Sequence, residues 1–281
     1  MKSNLFLLLL ILGTTYASAQ QTVTIRGSES LIFLGQRFAS LYSHHNPNMQ
    51  FKVAGGSLEE AFRELNGGHA DIVEVEGGSE RAALHLPIGI QAIAVYVNKD
   101  NPIKELTVAQ LRGIFMGEIK SWKELGGPDR RILMYSGDND LTVNFFQDYV
   151  LHGEEAFALE GKATFKDMID AVQRDAGAIG IARLTPTPLL KLVPLKAGAV
   201  SLAVTPSPAT IRNHEYPITR YVYWNLAHKP SGELKDFCAW VFSSEGQLVV
   251  ESAGFEPLLP NERASQRAAL GLSDGTQAEG K

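Results

Sequence analysis

Apolar positions along the chain switch repeatedly between two periods. Val23 and Ile25 alternate with polar neighbours, and Leu31, Leu34, Phe38 and Leu41 then recur at helical spacing. Phe51 and Val53 alternate again, before Leu58, Phe62 and Leu65 return to the helical period. Residues 88–97 are apolar on both faces, as a strand covered on both sides requires. Further strands are predicted at 131–135, 178–181, 191–194 and 221–227. Helices are predicted at 142–151, 165–172, 233–242 and 245–251, the last stopped by Gly254. Such alternation predicts an α/β fold with a mostly parallel sheet and helices on both faces.

Helix starts carry hydroxyl residues followed three positions later by a carboxylate or amide: Ser57 with Glu60, Thr107 with Gln110, Ser121 with Glu124, Ser244 with Gln247. In each, the two side chains reciprocally satisfy free backbone N–H groups. Thr185-Pro186-Thr187-Pro188 and Thr205-Pro206-Ser207-Pro208 read as extended loops, since each proline disfavours helix at the residue before it. From Asn261 the pattern fades into polar sequence, so residues 261–281 are predicted to be a disordered tail. No internal repeat is visible.

The N-terminus changes the picture of where the protein works. Lys2 precedes an apolar run from Leu5 to Leu12 and the small-residue triplet Ala17-Ser18-Ala19. That is the layout of a cleavable secretory signal, predicting residues 1–19 as a signal peptide and a periplasmic or secreted mature protein. The run is well below the ~18 residues that suggest a membrane span, and no cysteine follows the cleavage site for a lipid anchor. With 281 residues, 44% of them hydrophobic, the chain can build one or two cores. A net charge of -5 without a basic run gives no footprint for nucleic acid.

Little in the sequence suggests catalysis. Cys238, the single cysteine, lies in an apolar helix and reads as an inert buried thiol. His44 and His45 are adjacent and point to different helix faces, which makes them a poor metal pair. No nucleophile elbow and no phosphate-cradling glycine-lysine loop is present, and no cofactor or metal is expected.

In open α/β sheets ligands bind beyond the carboxyl ends of strands, where helix N-termini favour anions. Four strand-to-helix loops are therefore the candidates: Gly27-Ser28-Glu29-Ser30, Ala54-Gly55-Gly56-Ser57, Glu76-Gly77-Gly78-Ser79, and the loop from Ser136 through Gly137, Asp138, Asn139, Asp140 and Leu141 to Thr142. Each alone is an ordinary helix cap. Four at one sheet edge point to a shared cleft.

Several further stretches resemble the phosphate-type periplasmic solute-binding proteins. They are Val97-Asn98-Lys99-Asp100-Asn101-Pro102, Arg112-Gly113-Ile114-Phe115-Met116-Gly117, Ser121-Trp122-Lys123-Glu124-Leu125, Ala178-Ile179-Gly180-Ile181, Tyr216-Pro217-Ile218-Thr219-Arg220 and Ser243-Ser244-Glu245-Gly246-Gln247. The resemblance runs from about Val23 to Leu259. It implies a two-lobed, periplasmic-binding-protein-like (type II) fold with two crossover strands, at 90–97 and 221–227. Lobe 1 would comprise residues 20–92 with 221–260, and lobe 2 residues 93–220. It further implies an oxyanion held in the cleft, a membrane ABC permease as partner, a monomer, and no enzymatic activity.

Residue by residue, the ligand loops match the family worst. The family's serine-arginine pair after the third strand is replaced by Glu76-Gly77, and its glycine-rich second loop by Gly56-Ser57-Leu58-Glu59. Its anion loop, serine-arginine-x-x-serine-glycine-threonine, keeps only Ser136 and Thr142; Gly137 stands for the arginine and Asp140-Leu141 for the serine-glycine pair. A cation that would grip an oxyanion bidentately is lost. A carboxylate about 4 Å from a bound anion costs about 4 kcal/mol at an effective dielectric near 20. Asp140 could also cap its own helix and take the N–H groups an anion needs. The candidate ligand residues are thus Ser28, Ser30, Gly56, Ser57, Glu76, Ser136, Asp138, Asp140 and Thr142. Arg26, Arg81 or Arg183 could supply the missing cation. Asp138-Asn139-Asp140 fails as a calcium loop, because Val143 and Tyr149 stand where glycine and glutamate are needed. Phosphate is expected to bind weakly or not at all. The alternatives are another polar solute, an amine or a cation, or a degenerate module that binds a partner protein.

Overall fold

The computed structural model describes residues 21–29, 31–77, 81–137, 140–156, 159–162 and 164–272. Its first half alternates strand and helix: β1 (Thr22–Gly27), α1 (Ile32–His45), β2 (Gln50–Gly55), α2 (Leu58–Asn66), β3 (Ile72–Glu76) and the long β4 (Leu84–Val97). There follow β5 (Leu106–Thr107), α3 (Val108–Phe115), β6 (Leu133–Ser136), α4 (Asp140–Tyr149), β7 (Leu159–Lys162), α5 (Phe165–Arg174), β8 (Ala178–Arg183), β9 (Lys191–Leu192), β10 (Leu195–Lys196) and α6 (Pro208–Arg212). The chain ends with β11 (Thr219–Leu226), α7 (Gly232–Val241), α8 (Ser244–Ser252) and α9 (Pro260–Ala269).

Among the described residues the strands form one mixed sheet in the order β2-β1-β3-β11-β4-β8-β6-β7, with β9 beside β4, and a separate β10-β5 pair. Strand β4 joins its two parts. Leu84 to Ala92 pair with β11, and Ile93 to Val97 pair with β8, both antiparallel. The parallel triplet β2-β1-β3 lies to one side and the parallel triplet β8-β6-β7 to the other. The continuous apolar run 88–97 is explained by this position, since Ile88 and Ile90, then Ile93 to Val97, are fully buried. Tyr216 fastens the junction from inside: its buried hydroxyl donates to the Ile93 carbonyl at 2.9 Å.

The helical periods place the core. In α1 the buried positions are Ile32, Leu34, Gly35, Phe38, Ala39 and Tyr42, whereas Leu41 is 45% exposed and not on the core face. Cys238 is fully buried, and burial pushes its thiol pKa up, which keeps it inert. Gly254 has φ +86°, and a Cβ there would lie 1.9 Å from Arg183 Nη1, so both backbone and packing require glycine. None of the helices among the described residues is long and apolar enough to cross a membrane.

Two expectations are corrected. The α8 cap is Ser243, which accepts from the Gly246 N–H; Gln247 instead turns inward to the Ile88 and Val241 carbonyls and the Leu258 N–H. A buried amide that ties three segments together outweighs a local capping box. Residues 261–281 are not uniformly without structure, because α9 occupies Pro260–Ala269. Glu262 closes its first turn on the Leu259 N–H and also accepts from the Tyr221 hydroxyl, Arg267 reaches the Ala239 carbonyl, and Leu270 is fully buried. These long-range anchors leave no periodic trace in a polar stretch. Residues 273–281 lie outside the described residues.

Candidate functional site

The carboxyl ends of β1, β2 and β3 form one cluster of loops. Gly27 ends β1, where an added Cβ would meet the Glu74 carbonyl at 2.8 Å, so glycine allows β1 and β3 to converge. The Ser28 carbonyl accepts the first amides of α1, Leu31 N–H at 3.1 Å and Ile32 N–H at 3.0 Å. Glu29 leans over the next loop, its carboxylate within 3.0 Å of where a Gly55 Cβ would stand. Ser57 is the α2 cap, accepting from the Glu60 N–H at 3.3 Å. Gly56 lies between these, with Arg26 Nη2 3.7 Å from its ideal Cβ position.

Strand β3 brings two acids to one face, because residues two apart in a strand share a side. Glu74 is fully buried and accepts from the Trp224 indole N–H at 2.8 Å. Burial, opposed by that bond and one from the Gly35 N–H, pushes its pKa up to about 8, with Glu76 adding to the rise. At pH 7 Glu74 is therefore mostly neutral. Glu76 lies at the strand end and pairs with Arg220, Oε1 to Nη2 at 3.2 Å.

Arg220 is the residue the sequence reading missed as chemistry, although its motif was noted. It stands at the start of β11, opposite Gln91 in register, and donates from Nε to Gln91 Oε1 at 2.9 Å. Its guanidinium carbon lies 4.0 Å from the centre of the Phe145 ring on α4. Burial lowers its pKa, while Glu76 and Asp148 act to raise it. The three arginines proposed from the sequence have these partners, and Arg26 also borders the Gly56 loop. Arg26 pairs with Glu64 at 2.8 Å, Arg81 lies over Phe62, and Arg183 donates to the Ala253 carbonyl at 2.9 Å.

The β6–α4 loop lies at the carboxyl end of β6, in the other parallel triplet. Ser136 and Thr142 are fully buried. At Gly137 an added Cβ would meet Met168 Sδ at 2.8 Å and Met168 Cβ at 3.0 Å. The space an arginine would use there is filled by α5. Helix α4 already includes Asp140, so it starts slightly earlier than the pattern placed it. Ser30 and Asp138 lie outside the described residues, as does the side chain of Asp140. Of the expected set, Ser28, Gly56, Ser57 and Glu76 thus gather at the first loop cluster, and Ser136 with Thr142 at the second. A separate cavity of about 250 Å3 lies behind α4, bordered by Phe146, Gln147, Leu151, Glu155 and Ile181.

Residues 13–245 match the family model of the PBP superfamily domain. The phosphate-binding protein PstS of Bacillus subtilis (strain 168) is 28% identical over 253 residues, covering 85% of this chain and 82% of that protein. PstS of Pseudomonas aeruginosa is 26% identical over 277 residues, covering 88% and 86%. Among solved structures, a possible phosphate binding protein from Planctomyces limnophilus matches with a TM-score of 0.78 at 21% identity, over 90% of this chain and 99% of that one. An ABC-type phosphate transport receptor from Vibrio cholerae matches with a TM-score of 0.68 at 21% identity, over 84% and 100%. The fold is thus the two-lobed α/β architecture expected from the sequence, and the relatives are binding proteins, not enzymes.

Proposed function

Since the chain belongs to the PBP superfamily, we propose that it is an exported solute-binding protein that delivers a small polar ligand to a membrane ABC permease. The observation that carries this reading is the course of β4, which pairs antiparallel with β11 up to Ala92 and antiparallel with β8 from Ile93, so that one strand joins the two parts of the sheet. That change of partner between Ala92 and Ile93 favours a first lobe of residues 20–92 with 221–260 and a second of 93–220. The ligand would lie between the loops after β1, β2 and β3 and the loop after β6, with Ser28, Ser57, Ser136 and Thr142 as hydroxyls within reach. Residues 1–19 would be removed on export.

The named relatives are phosphate-binding proteins. Phosphate is the first ligand to test, and it is expected to bind weakly. The family's arginine position is occupied by Gly137 packed on Met168, and Glu76 already neutralises Arg220. That internal neutralisation also supports the second reading, a degenerate module that binds a partner protein.

Thermal unfolding with phosphate, sulfate and small amines at millimolar concentration separates the two. A receptor gains stability as RT ln(1 + [L]/Kd). A saturable upward shift with one solute supports the receptor; no shift with any solute leaves the partner-binding module.

A further inference from the structure

Arg220 is enclosed on nearly every side. The Phe145 ring covers one face of the guanidinium at 4.0 Å. Gln91 takes the Nε edge at 2.9 Å. The remaining edge faces Glu76, whose Oε1 is 3.2 Å from Nη2. Only 13% of the Arg220 side chain and 12% of the Glu76 side chain is exposed.

Arg220 Nη2 is fully covered yet makes no aligned hydrogen bond, so charge proximity, not fork geometry, holds the pair. A guanidinium gains most from two parallel bonds to one carboxylate or oxyanion. Glu76 gives it less than that. Glu76 is also the last residue of β3, followed by Gly77 at φ +72°, so its side chain sits at the strand's free end. Of the three groups around the guanidinium it is the one at a strand end, whereas Gln91 lies within β4 and Phe145 is fully buried on α4.

We propose that Arg220 is the anion-recognising cation of this chain, and that Glu76 is its resident counter-ion, displaced when a compact oxyanion or carboxylate arrives. This rests on the solute-binding reading above and names its specificity-determining pair. The cation has in effect moved from the β6–α4 loop to β11. Anions able to take two parallel bonds from Arg220 displace the carboxylate; chloride does not.

The test is thermal unfolding of the purified protein, of Glu76→Ser, and of Glu76→Ser with Arg220→Met. Each is measured in phosphate, acetate and chloride at matched ionic strength. Glu76→Ser is expected to melt below the native protein in chloride and to recover in phosphate or acetate, with a phosphate Kd about tenfold or more below the native value. The double variant is expected to lose that anion response. An equal response in phosphate and acetate would identify carboxylate-type recognition, and a larger one in phosphate would identify oxyanion recognition; both support the pair. Absence of any anion response in Glu76→Ser, or its survival in the double variant, overturns the proposal. If Glu76→Ser does not fold, Glu76→Gln keeps the volume while removing the charge, and the same outcomes apply. Native stabilisation by phosphate that survives Arg220→Met would leave the solute-binding reading standing and remove this one.

Discussion

The two groups of loops at the candidate cleft carry opposite chemistry. Beyond β1, β2 and β3 lie Glu29 over Gly55, the buried Glu74, and Glu76 against Arg220. Beyond β6 the described wall is neutral: Ser136 and Thr142 are buried, and Met168 fills the space beside Gly137. Among the described residues, then, the charged side chains lie in the first group, and the second contributes the buried hydroxyls of Ser136 and Thr142 beside the Phe145 ring. Glycine stands at position 137 on the second side, whereas the first side has a mostly buried cation, Arg220 on β11, already paired with the Glu76 carboxylate.

The comparison can be broken most forcefully at Arg220. Arg220→Met leaves Glu76 and the Gln91 amide facing an apolar side chain in a nearly covered site, and a loss of about 3 kcal/mol is expected. Chemical denaturation would show it; a loss no larger than that of an ordinary surface change would mean the pair is solvated and the charge contrast is minor. Met168→Ala, on the neutral side, should cost about 2–4 kcal/mol through the cavity it leaves. The same change should also make Gly137→Arg tolerable, so the combined variant melting above Gly137→Arg alone is the outcome that checks the packing argument.

Glu74 gives a smaller, pH-dependent contrast. Its folded pKa is about 8 against an ordinary 4.5, so between these values the folded protein holds a proton that the unfolded chain has released. Stability from this group is complete below about pH 4.5 and is lost as pH rises through about 8, at up to ~1.4 kcal/mol per pH unit. Glu74→Gln keeps an acceptor for Trp224 and should flatten that slope, with the variant the more stable protein above pH 8. An unchanged slope would show that Glu74 is not the group responsible. The smallest effect on stability belongs to Ser57→Ala, which removes the α2 cap for about 1 kcal/mol, as chemical denaturation would show.

Most of the fold could be read from the chain because it is written in local periods. The alternation at Val23 and Ile25, the helical spacing of Phe62 and Leu65, and the doubly buried run at 88–97 each record one element's own surroundings. The helix α9 was hidden because its anchors, Tyr221 to Glu262 and buried Leu270, join residues far apart in a polar sequence. The site divides the same way. Ser57 and Thr142 were visible as loop hydroxyls at fixed offsets. The Arg220 pairing was not, since Glu76, Gln91 and Phe145 meet it only after three separate elements pack. The Tyr216-Pro217-Ile218-Thr219-Arg220 motif was the available signal, but it marks the family resemblance without giving its arginine a partner.

The most direct test of the whole account is small-angle X-ray scattering of the protein, titrated with whichever solute gives the largest thermal shift. Two lobes joined by β4 and β11 should close over the ligand by hinge motion. The account requires a radius of gyration that falls saturably, with the same midpoint as the thermal shift. A stabilising solute that leaves the radius unchanged at saturation would contradict it, placing the ligand outside the cleft.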